Sequence, residues 1–284
     1  MTHQSGEAVP SAILNDGQSI PQLGLGTWPM GSDEVRPAIA AAFYAGYRHF
    51  DTAAAYENEE GVGRAIRDLP ASRDELFITT KIPNDAHGLT ATREAMEASL
   101  RRLRTDYVDL ALIHWPMPAN GEYINAWVAL TKLRDAGKVR SIGVSNFQPT
   151  HLRRIVDATG VTPAVNQIQW NPYVQQTETG QATTLRGAIV AAWAPLAPKT
   201  TLLSEPIIAT IAARHNRSAA QVVLRWHLQQ QRIVIPKSAT PARIRENVEV
   251  FDFTLSDDEM EQISALRTDG LPEYPKEMAG VLGE

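Results

Sequence analysis

Short apolar runs and stretches of helical period alternate along this chain. The runs fall at 22–26, 49–51, 76–80, 108–113, 141–144, 164–168, 189–193 and 233–235. Between them, at 33–45, 59–68, 90–103, 126–136, 149–158 and 218–229, apolar residues recur at the three- and four-residue spacing of an amphipathic helix. Parallel strands need long crossovers and helices usually supply them, so this alternation predicts parallel pairing. Eight such units in 284 residues predict a closed (β/α)8 TIM barrel, as one domain spanning 1–284. Ahead of it, 12–14, the turn Asn15-Asp16-Gly17 and 19–20 predict a β-hairpin, because Asp-Gly supplies the positive-φ positions of such turns. The tail 268–284, with Pro272, Tyr274 and Pro275, reads as short and irregular. The stretch 175–187 is rich in Thr, Gly and Gln and reads as a poor helix.

An open doubly wound sheet is the competing architecture. Its nucleotide-binding form carries G-x-G-x-x-G after the first strand. Here Gly24-x-Gly26 runs into Thr27-Trp28-Pro29, where Pro29 opposes a phosphate-cradling helix start. Gly61-Val62-Gly63 lies inside a helical stretch and lacks the third glycine.

Composition narrows the chemistry. Hydrophobic residues make up 43% and charged residues 21%, the balance of a folded globular domain. With no cysteine, disulfides, iron–sulfur clusters and cysteine nucleophiles are excluded. A net charge of −5 argues against a nucleic-acid binder. The first twenty residues lack a basic start followed by an apolar run, and the apolar stretch 188–197 is too short to span a bilayer. A cytoplasmic protein without a membrane partner is expected.

In a barrel, catalytic groups sit at the C-terminal ends of the strands. Asp51 ends the second barrel strand, with Tyr56 five residues on; Lys81 ends the third and His114 the fourth. Taken singly, each has an ordinary role: a capping Asp, a solvated Lys, a packed Tyr. Together they make a proton donor. A Tyr hydroxyl is a poor acid near neutrality, and an adjacent Lys is expected to lower its pKa. Asp51 would keep that Lys charged, and a neutral His114 could orient a carbonyl oxygen. No nucleophile and no H-E-x-x-H spacing accompanies the set, so no metal is expected and a barrel metallohydrolase is disfavoured. A proton donor without a nucleophile needs electrons from elsewhere, and a nicotinamide is the common source.

The segment 51–63, Asp-Thr-Ala-Ala-Ala-Tyr-Glu-Asn-Glu-Glu-Gly-Val-Gly, resembles the aldo-keto reductase signature D-T-A-x-x-Y-x-N-E-x-x-V-G. The likeness continues through Ile113-His114-Trp115-Pro116, Gly143-Val144-Ser145-Asn146-Phe147, Asn166-Gln167-Ile168-Gln169 and Ile235-Pro236-Lys237-Ser238 to Arg243, Glu246 and Asn247. It covers about 22–266, and phrases such as Val250-Phe251-Asp252-Phe253 are most similar to the bacterial diketogluconate-reductase-like branch.

The resemblance implies NADPH-dependent reduction of aldehydes, ketones or dicarbonyls such as methylglyoxal, with Tyr56 as the acid, Lys81 and Asp51 tuning it and His114 orienting the carbonyl. It implies cofactor contacts at Gly26, Thr27, Ser145, Asn146, Gln167, Trp193, Pro195, Leu196, Lys237, Ser238, Arg243, Glu246 and Asn247. Ser145, Asn146 and Gln167 match a carboxamide, although Ser145 or Asn146 could equally cap a helix. Trp193 stands where the family stacks an aromatic on the nicotinamide. Lys237, Ser238 and Arg243 suit a 2′-phosphate. Trp28, Pro83 and Trp115 would wall the substrate pocket, beside a tail that covers the mouth in this family. Ala197 replaces the family's usual Gly, and Asn171 its usual His. A monomer is expected. The alternative is a non-catalytic NADPH-binding relative.

Overall fold

The computed structural model describes residues 9–268. Two short strands, β1 (Ser11–Ile13) and β2 (Ser19–Pro21), form an antiparallel hairpin. Eight more make one parallel sheet: β3 (Gly24–Gly26), β4 (His49–Asp51), β5 (Phe77–Ile82), β6 (Val108–Ile113), β7 (Val139–Ser145), β8 (Val165–Gln169), β9 (Ile189–Trp193) and β10 (Ile233–Ile235). They lie in sequence order. Bridges from Leu23 to Val234 and from Gly26 to Lys237 join the first strand to the last and close the barrel.

Around it run α1 (Ser32–Tyr44), α2 (Glu59–Arg67), α3 (Leu89–Leu103), α4 (Tyr123–Asp135), α5 (Pro149–Thr159), α6 (Thr177–Thr184), α7 (Pro206–His215), α8 (Ala219–Gln229), α9 (Pro241–Val248) and α10 (Asp257–Ser264). Their apolar faces and the outward-facing strand residues, such as Phe50 and Ile78, form the larger core. A smaller cluster fills the barrel. It joins Leu14 and Ile20 of the hairpin region to Phe77, Val165 and Ile233, the first residues of β5, β8 and β10. The hairpin therefore plugs the N-terminal end and leaves the C-terminal mouth for chemistry. Side chains two residues apart share a face of a strand, so His49 lies one layer below Asp51. The interior is narrow there: a Cβ on Gly24 would fall 2.7 Å from His49 Nδ1.

One expectation is corrected. The stretch 175–187 holds helix α6 despite its composition. Thr183 Oγ1 turns back onto Thr179 O at 2.8 Å and accepts from buried Asn166 Nδ2 at 3.0 Å. Gly180 lies against the Trp170 ring, where a Cβ would come within 2.6 Å. Tertiary contacts hold a helix that propensity alone does not favour.

Candidate active site

The barrel brings the four strand-end residues together. Asp51 closes β4, and a 3-10 turn, Ala54–Tyr56, follows it and presents Tyr56 half-buried at the mouth. Lys81 lies one residue from the end of β5, and His114 directly follows β6. Lys81 Nζ donates to Asp51 Oδ1 at 2.5 Å, to Thr52 O at 3.0 Å and to Tyr56 Oη at 3.3 Å. The Tyr56 and His114 rings meet edge to face with centroids 5.6 Å apart.

Burial alone would pull the Lys81 ammonium down, but Asp51 and Tyr56 together hold it above its ordinary value. Burial pushes the Tyr56 phenol up, and Lys81 beside it offsets only part of that rise. The expectation that Lys81 would bring Tyr56 below its ordinary value is thus not met in the protein alone, because desolvation of the phenolate outweighs the ammonium. Tyr56 is protonated, the state a proton donor requires. Burial, with a smaller push from Lys81, lowers His114 to about 3, so its imidazole is neutral near pH 7.

A supporting set went unnoticed in the sequence. Asn58, fully buried, donates to Thr27 O at 3.2 Å and Met30 O at 2.9 Å and accepts from Thr52 Oγ1 at 2.8 Å. It pins the loop after β3 to the loop that carries Tyr56. Its place inside the signature segment was the one available signal. Thr27 also donates, through N and Oγ1, to Asp51 O at 3.0 Å.

Ser145 and Gln167 face each other across β7 and β8. Ser145 Oγ donates to Gln167 O at 2.8 Å, and Gln167 Nε2 donates to Asp51 Oδ2 at 2.7 Å. Asn146 adopts the left-handed region, φ 61°, which Asn tolerates better than most residues. Its Nδ2 donates to His114 O at 3.1 Å, and its Oδ1 accepts from Trp193 Nε1 at 2.9 Å. Helix capping is not the role of Ser145 or Asn146, since Gln148 is the N-cap of α5.

Beyond Trp193 the chain runs through Ala194, Pro195, Leu196, Ala197 and Lys199, with left-handed φ at Ala194 (49°), Ala197 (45°) and Lys199 (66°). Ala197 therefore holds a conformation that glycine adopts without strain. Pro195 O accepts from buried His227 Nε2 at 3.3 Å. Gly26 N donates to Pro236 O at 3.0 Å, which seats Lys237 at the mouth. Ser238 Oγ accepts from Thr240 N at 3.1 Å just before α9. Lys237 and Arg243 are exposed and make no ion pair among the described residues, whereas Asn247 is buried and Glu246 half-buried. Two unpaired cations beside a helix N-terminus fit an anionic group such as a phosphate. Trp28 is 60% exposed, Pro83 half-buried and Trp115 buried. The expected tail reaches the described residues only at Thr268, whose N donates to Tyr173 O at 2.9 Å; the rest lies outside them. Among the described residues no cluster of three His, Asp or Glu is placed to hold a metal ion, and no helix is long and apolar enough to cross a membrane.

A closed barrel that offers a protonated tyrosine beside a buried ammonium at its mouth, with no nucleophile in the set, fits an oxidoreductase working on carbonyl groups. The model of the Aldo/keto reductase family matches residues 22–268, and the chain belongs to that family. It is 46% identical over 261 residues to methylglyoxal reductase DkgA of Escherichia coli K12, covering 91% of this chain and 94% of the relative. An aldo/keto reductase from Brucella melitensis superposes with a TM-score of 0.89 at 47% identity, covering 91% of this chain and 98% of the other. A mutant of Gox0644 solved in complex with NADPH gives a TM-score of 0.89 at 46% identity, with 93% and 95% covered.

Proposed function

We propose that this chain reduces small aldehydes, ketones or dicarbonyls such as methylglyoxal to alcohols with NADPH. The observation that carries the reading is Lys81, buried between Asp51 Oδ1 and Tyr56 Oη at 2.5 and 3.3 Å. The tie of DkgA to methylglyoxal and of Gox0644 to NADPH supports the substrate class and the cofactor.

When bound, the reduced nicotinamide would supply the hydride. Tyr56 gives its hydroxyl proton to the carbonyl oxygen as negative charge develops there. Lys81 then faces the phenolate left behind and stabilises it, since a cation beside an anion favours the charged form. Neutral His114 donates a hydrogen bond to the same oxygen and orients it. Asp51 keeps Lys81 charged. Ser145, Asn146 and Gln167 would seat the carboxamide and Trp193 would cover the ring. Gly26, Thr27, Pro195 and Leu196 would line the cofactor's path. Lys237, Ser238 and Arg243, with Glu246 and Asn247 farther along α9, would hold the adenosine and its 2′-phosphate. Trp28, Pro83 and Trp115 would flank the carbonyl compound.

A monomer suits this reading, because Asp51, Tyr56, Lys81 and His114 of a single copy come together without a second subunit. With a net charge of −5, a small diffusible substrate in the cytoplasm suits the protein better than nucleic acid. The assembled tetrad disfavours a purely binding role. The test is carbonyl-dependent loss of nicotinamide absorbance with purified protein over a panel of aldehydes and dicarbonyls, with NADPH and NADH. Faster turnover with NADPH is expected; no turnover on any carbonyl overturns the reading.

A further inference from the structure

Gln167 sits where the two halves of this site meet. Lys81 Nζ occupies one oxygen of the Asp51 carboxylate, Oδ1, at 2.5 Å. Gln167 Nε2 occupies the other, Oδ2, at 2.7 Å. The Gln167 backbone carbonyl accepts from Ser145 Oγ at 2.8 Å and from Asn146 N at 3.0 Å. Its side-chain Oε1 makes no hydrogen bond among the described residues. One amide therefore has its donor end committed to Asp51 and its acceptor end open. Gln167 is only 3% exposed, so bulk water does not replace that donor.

We propose that Gln167 is a positioning residue of the proton relay, clamping Asp51 on the side opposite Lys81 and thereby tying the carboxamide seat to Tyr56. The proposal rests on the reductase reading above. A buried carboxylate held at a single oxygen can swing about its Cβ–Cγ bond. Donors on both oxygens fix its plane, and Lys81 follows that plane in reaching Tyr56. Without Nε2, Asp51 Oδ2 is left buried and unpaired, a state that costs more than an ordinary lost hydrogen bond. Asp51 would then rotate toward whatever donor remains, and the 3.3 Å contact between Lys81 and Tyr56 would lengthen. A residue that merely cradled the cofactor would alter affinity and leave the relay untouched.

The experiment is a double-mutant cycle between Gln167→Leu and Asp51→Asn, read as kcat at saturating NADPH, with NADPH affinity titrated separately by fluorescence. Gln167→Leu should lower kcat about 10- to 100-fold in the wild-type background and less than about 3-fold in the Asp51→Asn background, because coupled residues are non-additive. Equal losses in both backgrounds, or a loss confined to NADPH affinity, overturn the proposal. Gln167→Glu gives a second readout should Gln167→Leu fail to fold. Its carboxylate keeps an acceptor for the seat but adds negative charge beside Asp51, disfavouring the Tyr56 phenolate. Alcohol oxidation should then need a pH about one unit higher, and an unchanged profile counts against the clamp. Wild type is assayed first: an inactive wild type refutes the reductase reading, whereas an active one with an additive cycle refutes only the role of Gln167.

Discussion

Lys81 Nζ stands 2.5 Å from Asp51 Oδ1, and both side chains are closed off from solvent, at 1% and 4% exposure. Such a pair contributes little net stability against apolar residues of similar size, yet removing one partner strands the other charge. Asp51→Leu should therefore destabilise the protein by about 3–5 kcal/mol. Urea titration would show a lower midpoint at unchanged slope. A loss below about 1 kcal/mol would mean that Lys81 finds compensation elsewhere.

Tyr56→Phe removes one oxygen and its proton. Turnover should fall by about 10²–10⁴, the range of general acid catalysis, while NADPH affinity stays near that of wild type. Single-turnover rates and fluorescence titration separate the two effects. Turnover within tenfold of wild type would exclude Tyr56 as the acid.

Lys81→Met takes away the charge that draws the Tyr56 hydroxyl downward against burial. The phenolate becomes harder to form, so residual alcohol oxidation should require higher pH than in wild type. A pH–rate profile in the oxidation direction checks this.

Cofactor choice should rest on the exposed cations at α9. Arg243→Ala is expected to weaken NADPH by about one to two orders of magnitude, since a charge-assisted hydrogen bond contributes roughly 1.5–3 kcal/mol. NADH, which lacks the 2′-phosphate, should change little. High salt should erode the wild-type preference by screening. Equal weakening of both cofactors would remove the 2′-phosphate assignment.

Burial lowers His49 to about 4 in the folded state, where its Nε2 lies 3.0 Å from Thr79 Oγ1. An unfolded His titrates near 6.5, so between these values the unfolded chain binds the proton and the folded one resists it. The contribution is fully present above about pH 6.5 and is lost as pH falls toward 4, by up to about 3 kcal/mol. His114, lowered to about 3, acts in the same direction. Denaturation midpoints from pH 8 to 4 should fall more gently in His49→Gln than in wild type.

Much of this architecture is legible in the sequence. The apolar runs and the 3.6-residue period are local properties, and they place the eight barrel strands and six of the helices to within a few residues, whereas α7, α9 and α10 are not picked out by them. Ala197 was visible as a departure from glycine, but its φ of 45° supplies the meaning. Helix α6 is not legible in its own segment because its stabilising contacts, Asn166 on Thr183 and Trp170 on Gly180, come from outside it.

The sequence by itself determined the alternation, the order of the strands and the residue types at their ends, because these depend on neighbours in the chain. Asp51, Tyr56, Lys81 and His114 were therefore legible as a set. Only the tertiary structure decided how they interact. Gln167 reaches Asp51 across 116 residues, a contact that exists because the barrel closes. Whether Tyr56 ends above or below its ordinary pKa depends on burial set against one ammonium, and burial is the joint product of every element around the mouth.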